Sequence, residues 1–207
     1  MSHFAKQWAL ITYVITFMLL AAAFFIFLPR LMPPKRIYAK DISDYLEDGD
    51  IICRLGDRLW SQYFKDISIT DKRYSHLGIV KINDNGITVI NAEGLAIQGK
   101  DFVNETDLDD FLEIAKTIGI YRLKDFDGKI ISSAAMEYIG YPFDWYFDLE
   151  DDSKIYCTEL LYIVLKKIAP EIELSRVYQK EIKKDLIPLE AVSNSDYFAE
   201  ILHISVR

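Results

Sequence analysis

The feature that most constrains this chain is an uncharged run of 21 residues near its amino terminus, from Trp8 to Leu28. As an α-helix rising about 1.5 Å per residue, such a run spans the hydrocarbon core of a bilayer. We therefore predict a single-pass transmembrane anchor and tether over residues 1–40. A cleaved signal peptide is the alternative, because Ala21-Ala22-Ala23 offers small residues, but the apolar run continues beyond them. Residues 41–207 are long enough for one domain with its own hydrophobic core.

Acidic and basic residues are distributed unevenly along the chain. All 32 acidic residues follow position 40, whereas five of the 24 basic residues lie within the first 40 positions, so the domain carries a net charge of −13. Affinity for nucleic acid rests mainly on neutralising phosphates, and this domain would repel a polyanion. We therefore exclude nucleic acid as a partner. The four basic residues between the apolar run and the domain favour a cytoplasmic domain.

Cysteine and histidine are scarce. Two cysteines, Cys53 and Cys157, are too few for a disulfide framework or a four-cysteine zinc site. The histidines, His3, His76 and His203, lack the spacing of metal ligands, and no P-loop or GxGxxG pattern is present. We therefore expect no metal and no cofactor.

Apolar periodicity predicts an α+β domain in which helices pack against an antiparallel sheet. The predicted strands are 51–55, 76–82, 87–92, 118–123 and 200–206, and the predicted helices are 41–46, 58–64, 107–115, 129–138 and 157–169. The second and third strands flank Asn83-Asp84-Asn85-Gly86, a sequence typical of a hairpin turn.

Cys157 begins the last predicted helix, which Pro170 terminates. Unpaired backbone N–H groups and the positive end of the helix dipole favour a thiolate at this position. Cys157 precedes Leu160 by three residues and Leu161 by four, so it also faces the buried side of the helix. A lone buried cysteine is otherwise an ordinary core residue. Position alone leaves both interpretations open.

His76 lies in the hairpin, where a polar neighbour could hold its ring. If Ile82 pairs with Ile87, His76 lies opposite Glu93. Side chains alternate along a strand, so Asn91 and Glu93 share the face of His76. A histidine base needs such a group to fix its tautomer. Without Cys157, a satisfied histidine in a half-buried strand remains the simpler interpretation.

Five short motifs follow one another along the domain. They are Gly49-Asp50-Ile51-Ile52, Ser75-His76-Leu77-Gly78-Ile79-Val80, Val89-Ile90-Asn91-Ala92, Tyr141-Pro142-Phe143-Asp144 and Tyr156-Cys157-Thr158-Glu159-Leu160. In this order they resemble the permuted papain-like amidases called YiiX/YaeF-like, relatives of the NlpC cell-wall peptidases. The resemblance covers roughly residues 49–204 and implies a circularly permuted papain-like fold. It also implies Cys157 as the nucleophile, His76 as the general base and residue 91 as the orienting group.

The chain departs from that family at one position, because the family often has a glutamate where this sequence has Asn91. An asparagine can accept the imidazole N–H but offers no negative charge to an imidazolium. Glu93, on the same face, is therefore the alternative third member of the triad.

The resemblance implies a cysteine hydrolase, an amidase or thiol protease acting on a small peptide or amide, with cell-wall peptides among the candidates. Because cell-wall-directed relatives act outside the cytoplasm, we expect an extracytoplasmic domain, against the charge count. Two alternatives remain open. One is a lipid acyl hydrolase or acyltransferase that uses the same Cys–His pair on a lipid-like substrate, and the other is an inactive, membrane-tethered binding module.

The remaining candidates have simpler roles. Cys53 lies in an apolar strand and is expected in the core, and Asp50 is expected to fix a turn after Gly49. His203 is expected to be structural. The aromatic residues of the loop 141–145 are expected to fold over the core, with a cavity wall as the alternative.

Overall fold

The computed structural model describes residues 36–94 and 101–206 and, in the amino-terminal segment, residues 8, 12, 13, 15–22 and 24, which are helical. The chain divides into two compact units, Met1–Lys35 and Arg36–Arg207. Much of the predicted transmembrane helix lies outside the described residues. Among those described, no helix has both the length and the apolar character needed to cross a membrane.

Six antiparallel strands form the central sheet of the second unit. They are β1 (Ile51–Gly56), β2 (His76–Asn83), β3 (Gly86–Glu93), β4 (Phe102–Asp107), β5 (Ala115–Leu123) and β8 (Phe198–Ser205). Their order across the sheet is β4-β3-β2-β1-β5-β8. A separate two-stranded ribbon consists of β6 (Val177–Gln179) and β7 (Lys184–Leu186).

Short and long helices cover the sheet, which confirms the predicted α+β class. They are α1 (Ala39–Ile42), α2 (Leu59–Ile67), α3 (Leu108–Leu112), α4 (Gly128–Met136), α5 (Cys157–Ile168) and α6 (Glu190–Ser193), with a 3-10 turn at Ser43–Tyr45. The predicted helix 107–115 was too long, because Ala115 already begins β5. Strand β4 was not predicted, because its polar residues at a sheet edge lack a strong apolar alternation.

The β2–β3 hairpin has the predicted register, since Ile82 pairs with Ile87. The ladder continues one pair further, to Asn83 and Gly86, so the turn has two residues rather than four. Gly86 adopts a φ of +135°, which a residue with a Cβ rarely does. The shorter turn does not change which side chains share a face.

The two faces of the sheet are buried in separate apolar clusters. One face packs against α4 and α5, and its cluster includes Leu77, Ile79 and Leu160. The other face packs against α1 and α3, and its cluster includes Val80 and Phe111. Successive residues of β2 therefore alternate between the two cores, with Leu77 and Ile79 in the first and Val80 in the second.

His76, Gly78 and Val80 share the face that is covered by α3. An added Cβ at Gly78 would overlap Val89 Cγ1 and lie 3.0 Å from Asn91 Cβ. We expect Gly78→Ala to lower the free energy of unfolding by about 1–3 kcal/mol, because an overpacked core must shift. Urea denaturation of the two proteins measures the difference.

The variant Val89→Ala tests the stated cause, because it removes the methyl group that the new Cβ would overlap. The double variant should lose less stability than the sum of the two single variants, as expected for residues in contact. Strictly additive losses would contradict this packing.

Candidate active site

Three strand ends and the start of α5 surround a cavity of about 80 Å³. Neighbouring strands run in opposite directions, so the end of β1, the start of β2 and the end of β3 lie at the same end of the sheet. These ends supply Arg54, His76 and Glu93, and α5 supplies Cys157. The remaining lining is largely apolar and includes Phe64, Ile114, Phe143, Phe147 and Tyr156.

Cys157 is the first residue of α5, as predicted, and only 6% of its surface is exposed. A carboxyl oxygen of Glu159 accepts the N–H of Tyr156 at 3.1 Å, which satisfies a donor at the start of the helix. The hydroxyl of Thr158 donates to the carbonyl of Ile187 at 2.6 Å. These bonds fix the helix start and therefore the position of the sulfur.

Burial raises the pKa of the Cys157 thiol to about 11. The backbone N–H groups of Leu77, Thr158 and Cys157 itself oppose this shift, as does the positive charge of Arg54. Leu77 belongs to β2, so the sulfur lies against the backbone of that strand. The helix start alone therefore does not make Cys157 a thiolate, because burial acts in the opposite direction and favours the thiol at neutral pH.

His76 begins β2, and its Nε2 lies 2.9 Å from Oδ1 of Asn91. An amide oxygen can only accept, so this contact assigns the ring proton to Nε2 and leaves Nδ1 with its lone pair. The amide of Asn91 is oriented in turn, because its Nδ2 donates to the carbonyl of Val89 at 3.3 Å and to Oγ1 of Thr106 at 3.2 Å. The contact expected between His76 and Asn91 is thus present.

Burial lowers the pKa of His76 to about 4, and the positive charge of Arg54 acts in the same direction. The charge of Glu93 and the hydrogen bond to Asn91 oppose the shift. The imidazole is therefore neutral at pH 7, which is the form in which a histidine can accept a proton.

Glu93, the alternative third member, forms an ion pair with Arg54 at 2.6 Å instead of a hydrogen bond with His76. Arg54 also donates to the carbonyl of Phe111 at 2.6 Å, and its guanidinium lies 4.4 Å from the centroid of that ring. Arg54 pairs directly with His76 in the β1–β2 ladder. Sequence reasoning missed Arg54, although a charged residue in an otherwise apolar strand was a signal that could have found it.

His76 and Cys157 approach the cavity from opposite faces of the sheet. His76 shares the face covered by α3, whereas α5 packs on the other face. Between these two described side chains, no hydrogen bond joins the sulfur and the imidazole. Within the described parts of the chain, no three His, Cys, Asp or Glu side chains are placed to hold a metal ion.

The other candidate residues have structural surroundings. Cys53 is fully buried, and burial raises the pKa of its thiol far above the usual range. A carboxylate oxygen of Asp50 accepts the N–H of Glu47 at 2.8 Å and thereby fixes the turn. Nδ1 of His203 lies 2.9 Å from the hydroxyl of Tyr74.

The aromatic loop contributes one side chain to the cavity wall. Phe143 lines the cavity and packs against Trp145, with ring centroids 4.9 Å apart. Trp145 is itself 46% exposed and Tyr141 38% exposed. The loop thus closes the cavity on one side and presents aromatic rings to solvent on the other.

A cysteine at a helix start that shares a cavity with a histidine–asparagine pair on antiparallel strands is typical of papain-like cysteine proteins. The chain belongs to the permuted papain-like amidases. The family described as "Permuted papain-like amidase enzyme, YaeF/YiiX, C92 family" matches residues 45–187.

A solved structure shares the fold. It is the "Crystal structure of metalloprotein yiiX from Escherichia coli O157:H7, DUF1105", with a TM-score of 0.61 and 17% sequence identity. The alignment covers 78% of this chain and 97% of that chain. No curated protein matches this chain. At 17% identity the likeness concerns the fold and not the substrate.

The geometry of His76 makes a prediction for NMR spectroscopy. Long-range ¹H–¹⁵N spectra should show the Nε2-protonated tautomer of His76 at pH 7. Titration should give His76 a pKa of about 4, well below that of a free histidine. The folded-state pKa is lower than the unfolded one, so His76 should make the protein less stable as the pH falls from about 6.5 toward 4.

His203, whose Nδ1 bonds to a tyrosine hydroxyl, gives a second histidine signal in the same spectra with which the His76 signal is compared. An Nδ1-protonated tautomer of His76, or a pKa at or above the free value, would contradict the arrangement around Asn91.

Proposed function

We propose that this protein is a cysteine hydrolase that cleaves an amide bond, with Cys157 as the nucleophile, His76 as the general base and Asn91 as the group that orients the imidazole. The observation that best supports the proposal is the 2.9 Å contact between Nε2 of His76 and Oδ1 of Asn91. That contact leaves Nδ1 of His76 as the basic atom, in a cavity that Cys157 also lines.

The proposed reaction begins from a neutral thiol and a neutral imidazole. Sγ of Cys157 attacks the carbonyl carbon while its proton passes to Nδ1 of His76, and His76 then gives the proton to the departing amine. A thioester on Cys157 results. Water attacks this thioester, His76 takes a proton from the water, and the proton returns to the sulfur as the acid leaves. Backbone N–H groups at the start of α5 stabilise the oxyanion.

In this mechanism, substrate binding brings the sulfur of Cys157 and the imidazole of His76 together. The resting structure has no hydrogen bond between the described sulfur and imidazole, so the two groups must approach when the substrate enters. Hydrogen bonds between catalytic groups are often long in unliganded enzymes and tighten in the complex. Proton transfer then accompanies the attack on the carbonyl and does not precede it.

A lipid acyl hydrolase or acyltransferase is the second candidate. The observation that favours it is the apolar wall formed by Phe64, Phe147 and Tyr156, which suits an acyl chain. The same cysteine and histidine would act on an ester. Matched amide and ester substrates with the same acyl group distinguish the two candidates. An inactive binding module would not be acylated by either substrate.

We expect Cys157→Ala to abolish acyl-enzyme formation, with a loss of turnover on the order of 10⁴-fold or more, because the nucleophile is removed. A panel of amide, ester and thioester substrates, followed by mass mapping of the acylated peptide, measures the effect. The thermal midpoint of this variant should change little.

Cys53→Ala is the matched control. This variant should keep its acylation but lose on the order of 1 kcal/mol or more of stability, because Cys53 is fully buried. If no substrate acylates either cysteine between mildly acidic and mildly basic pH, the hydrolase proposal fails.

The amino-terminal run suggests where the enzyme acts. We propose that residues 8–28 form an uncleaved membrane anchor and that the domain lies outside the cytoplasm. The uncharged run of 21 residues supports the anchor, and the cell-wall-directed relatives support the orientation.

A reporter fused after the last residue tests this topology. A reporter that works only outside the cytoplasm should be active, and one that works only inside the cytoplasm should be inactive. The fusion protein should also stay in the membrane fraction after alkaline extraction. The reverse pattern would place the domain in the cytoplasm, as the basic residues after the apolar run would favour.

A further inference from the structure

The cavity of Cys157 and His76 also contains an unbalanced positive charge. Arg54 and Glu93 neutralise one another at 2.6 Å. Arg58, in the turn that leads into α2, lines the same cavity with an exposed side chain. Arg58 forms no ion pair with any residue that the structure describes. Among the described lining residues, two guanidinium groups thus face one carboxylate.

Arg58 acts electrostatically on the site. Burial alone would raise the pKa of Glu93, yet the pKa lies below its usual value because positive charge on His76, when that ring is protonated, on Arg54 and, to a smaller extent, on Arg58 favours the carboxylate. Arg58 lies at the solvent side of the cavity that Cys157 lines, where an anion can approach it.

We propose that the substrate carries a carboxylate close to its scissile bond and that Arg58 binds this carboxylate at the cavity mouth. One unbalanced guanidinium matches one monoanion, and its planar fork fits a carboxylate through two parallel hydrogen bonds.

This inference rests on the proposed function, since it assumes that Cys157 is the reacting group. It narrows the substrate to an amide that bears a carboxylate, such as an acylated amino acid or the carboxyl end of a short peptide. The small volume of the cavity, about 80 Å³, suits the end of such a molecule better than its middle.

Two alkylating reagents test the charge preference without knowledge of the natural substrate. Iodoacetate and iodoacetamide both react when a thiolate displaces iodide, and they differ in carrying a carboxylate or a neutral amide. The ratio of their rate constants at one cysteine is independent of the thiolate fraction, which affects both reagents equally. The full chain in detergent is treated with each reagent, and mass mapping gives the two rates at Cys157.

We expect the ratio of iodoacetate to iodoacetamide rates at Cys157 to exceed that of N-acetylcysteine by about tenfold, the size of a hydrogen bond to a charged group. Arg58→Gln should return the ratio to that of N-acetylcysteine, and Arg58→Lys should retain part of the preference. Arg176→Gln is the control, because Arg176 is an exposed arginine that bonds to Tyr162 and does not line the cavity.

The possible outcomes separate the two proposals. A ratio equal to that of N-acetylcysteine, or one that Arg58→Gln leaves unchanged, overturns the carboxylate site while the cysteine hydrolase stands. Failure of both reagents to alkylate Cys157 at mildly basic pH, over times long enough for its small thiolate fraction to react, overturns both proposals, since the reagents then do not reach the sulfur. Cys53, which is fully buried, should stay unmodified in every case.

Discussion

The alternation of side chains along β2 is the constraint on which the arrangement of the site depends. His76 and Leu77 are consecutive, so the imidazole enters the face covered by α3 while the leucine side chain enters the core beneath α5. The pairing of β2 with β3 brings Asn91 to the imidazole, and the pairing with β1 brings Arg54 beside it. A shift of one residue in either pairing would separate these groups, because every side chain would change faces.

Burial has the opposite consequence for the two candidate catalytic groups. It raises the pKa of the Cys157 thiol to about 11 and lowers that of the His76 imidazole to about 4, because a low-dielectric surrounding disfavours the charged form of each. The unliganded site therefore holds two neutral groups and no thiolate–imidazolium pair. The charged residues beside them are Arg54 and Glu93. Arg54 lowers the pKa of His76, and Glu93 raises it.

The sequence was sufficient for features that depend on local pattern. The hairpin register follows from apolar alternation and a turn sequence, and the start of α5 at Cys157 follows from helical spacing and a terminating proline. Long-range features were not predictable in this way. Strand β4 forms because β3 offers an unpaired edge, and Arg54 lies beside His76 only because β1 pairs with β2. The raised pKa of Cys157 depends on how completely the surrounding chain excludes water, which no local pattern states.

The N–H of Leu77 is one of the groups that lower the pKa of the Cys157 sulfur, and the residue before it carries the proposed base. The peptide bond between His76 and Leu77 therefore joins the proton acceptor to a donor that stabilises the thiolate. A displacement of the start of β2 would therefore move the backbone of His76 and the N–H of Leu77 together. A ligand in the cavity that displaces this end of the strand would therefore change the surroundings of the proposed nucleophile and the position of its base at the same time.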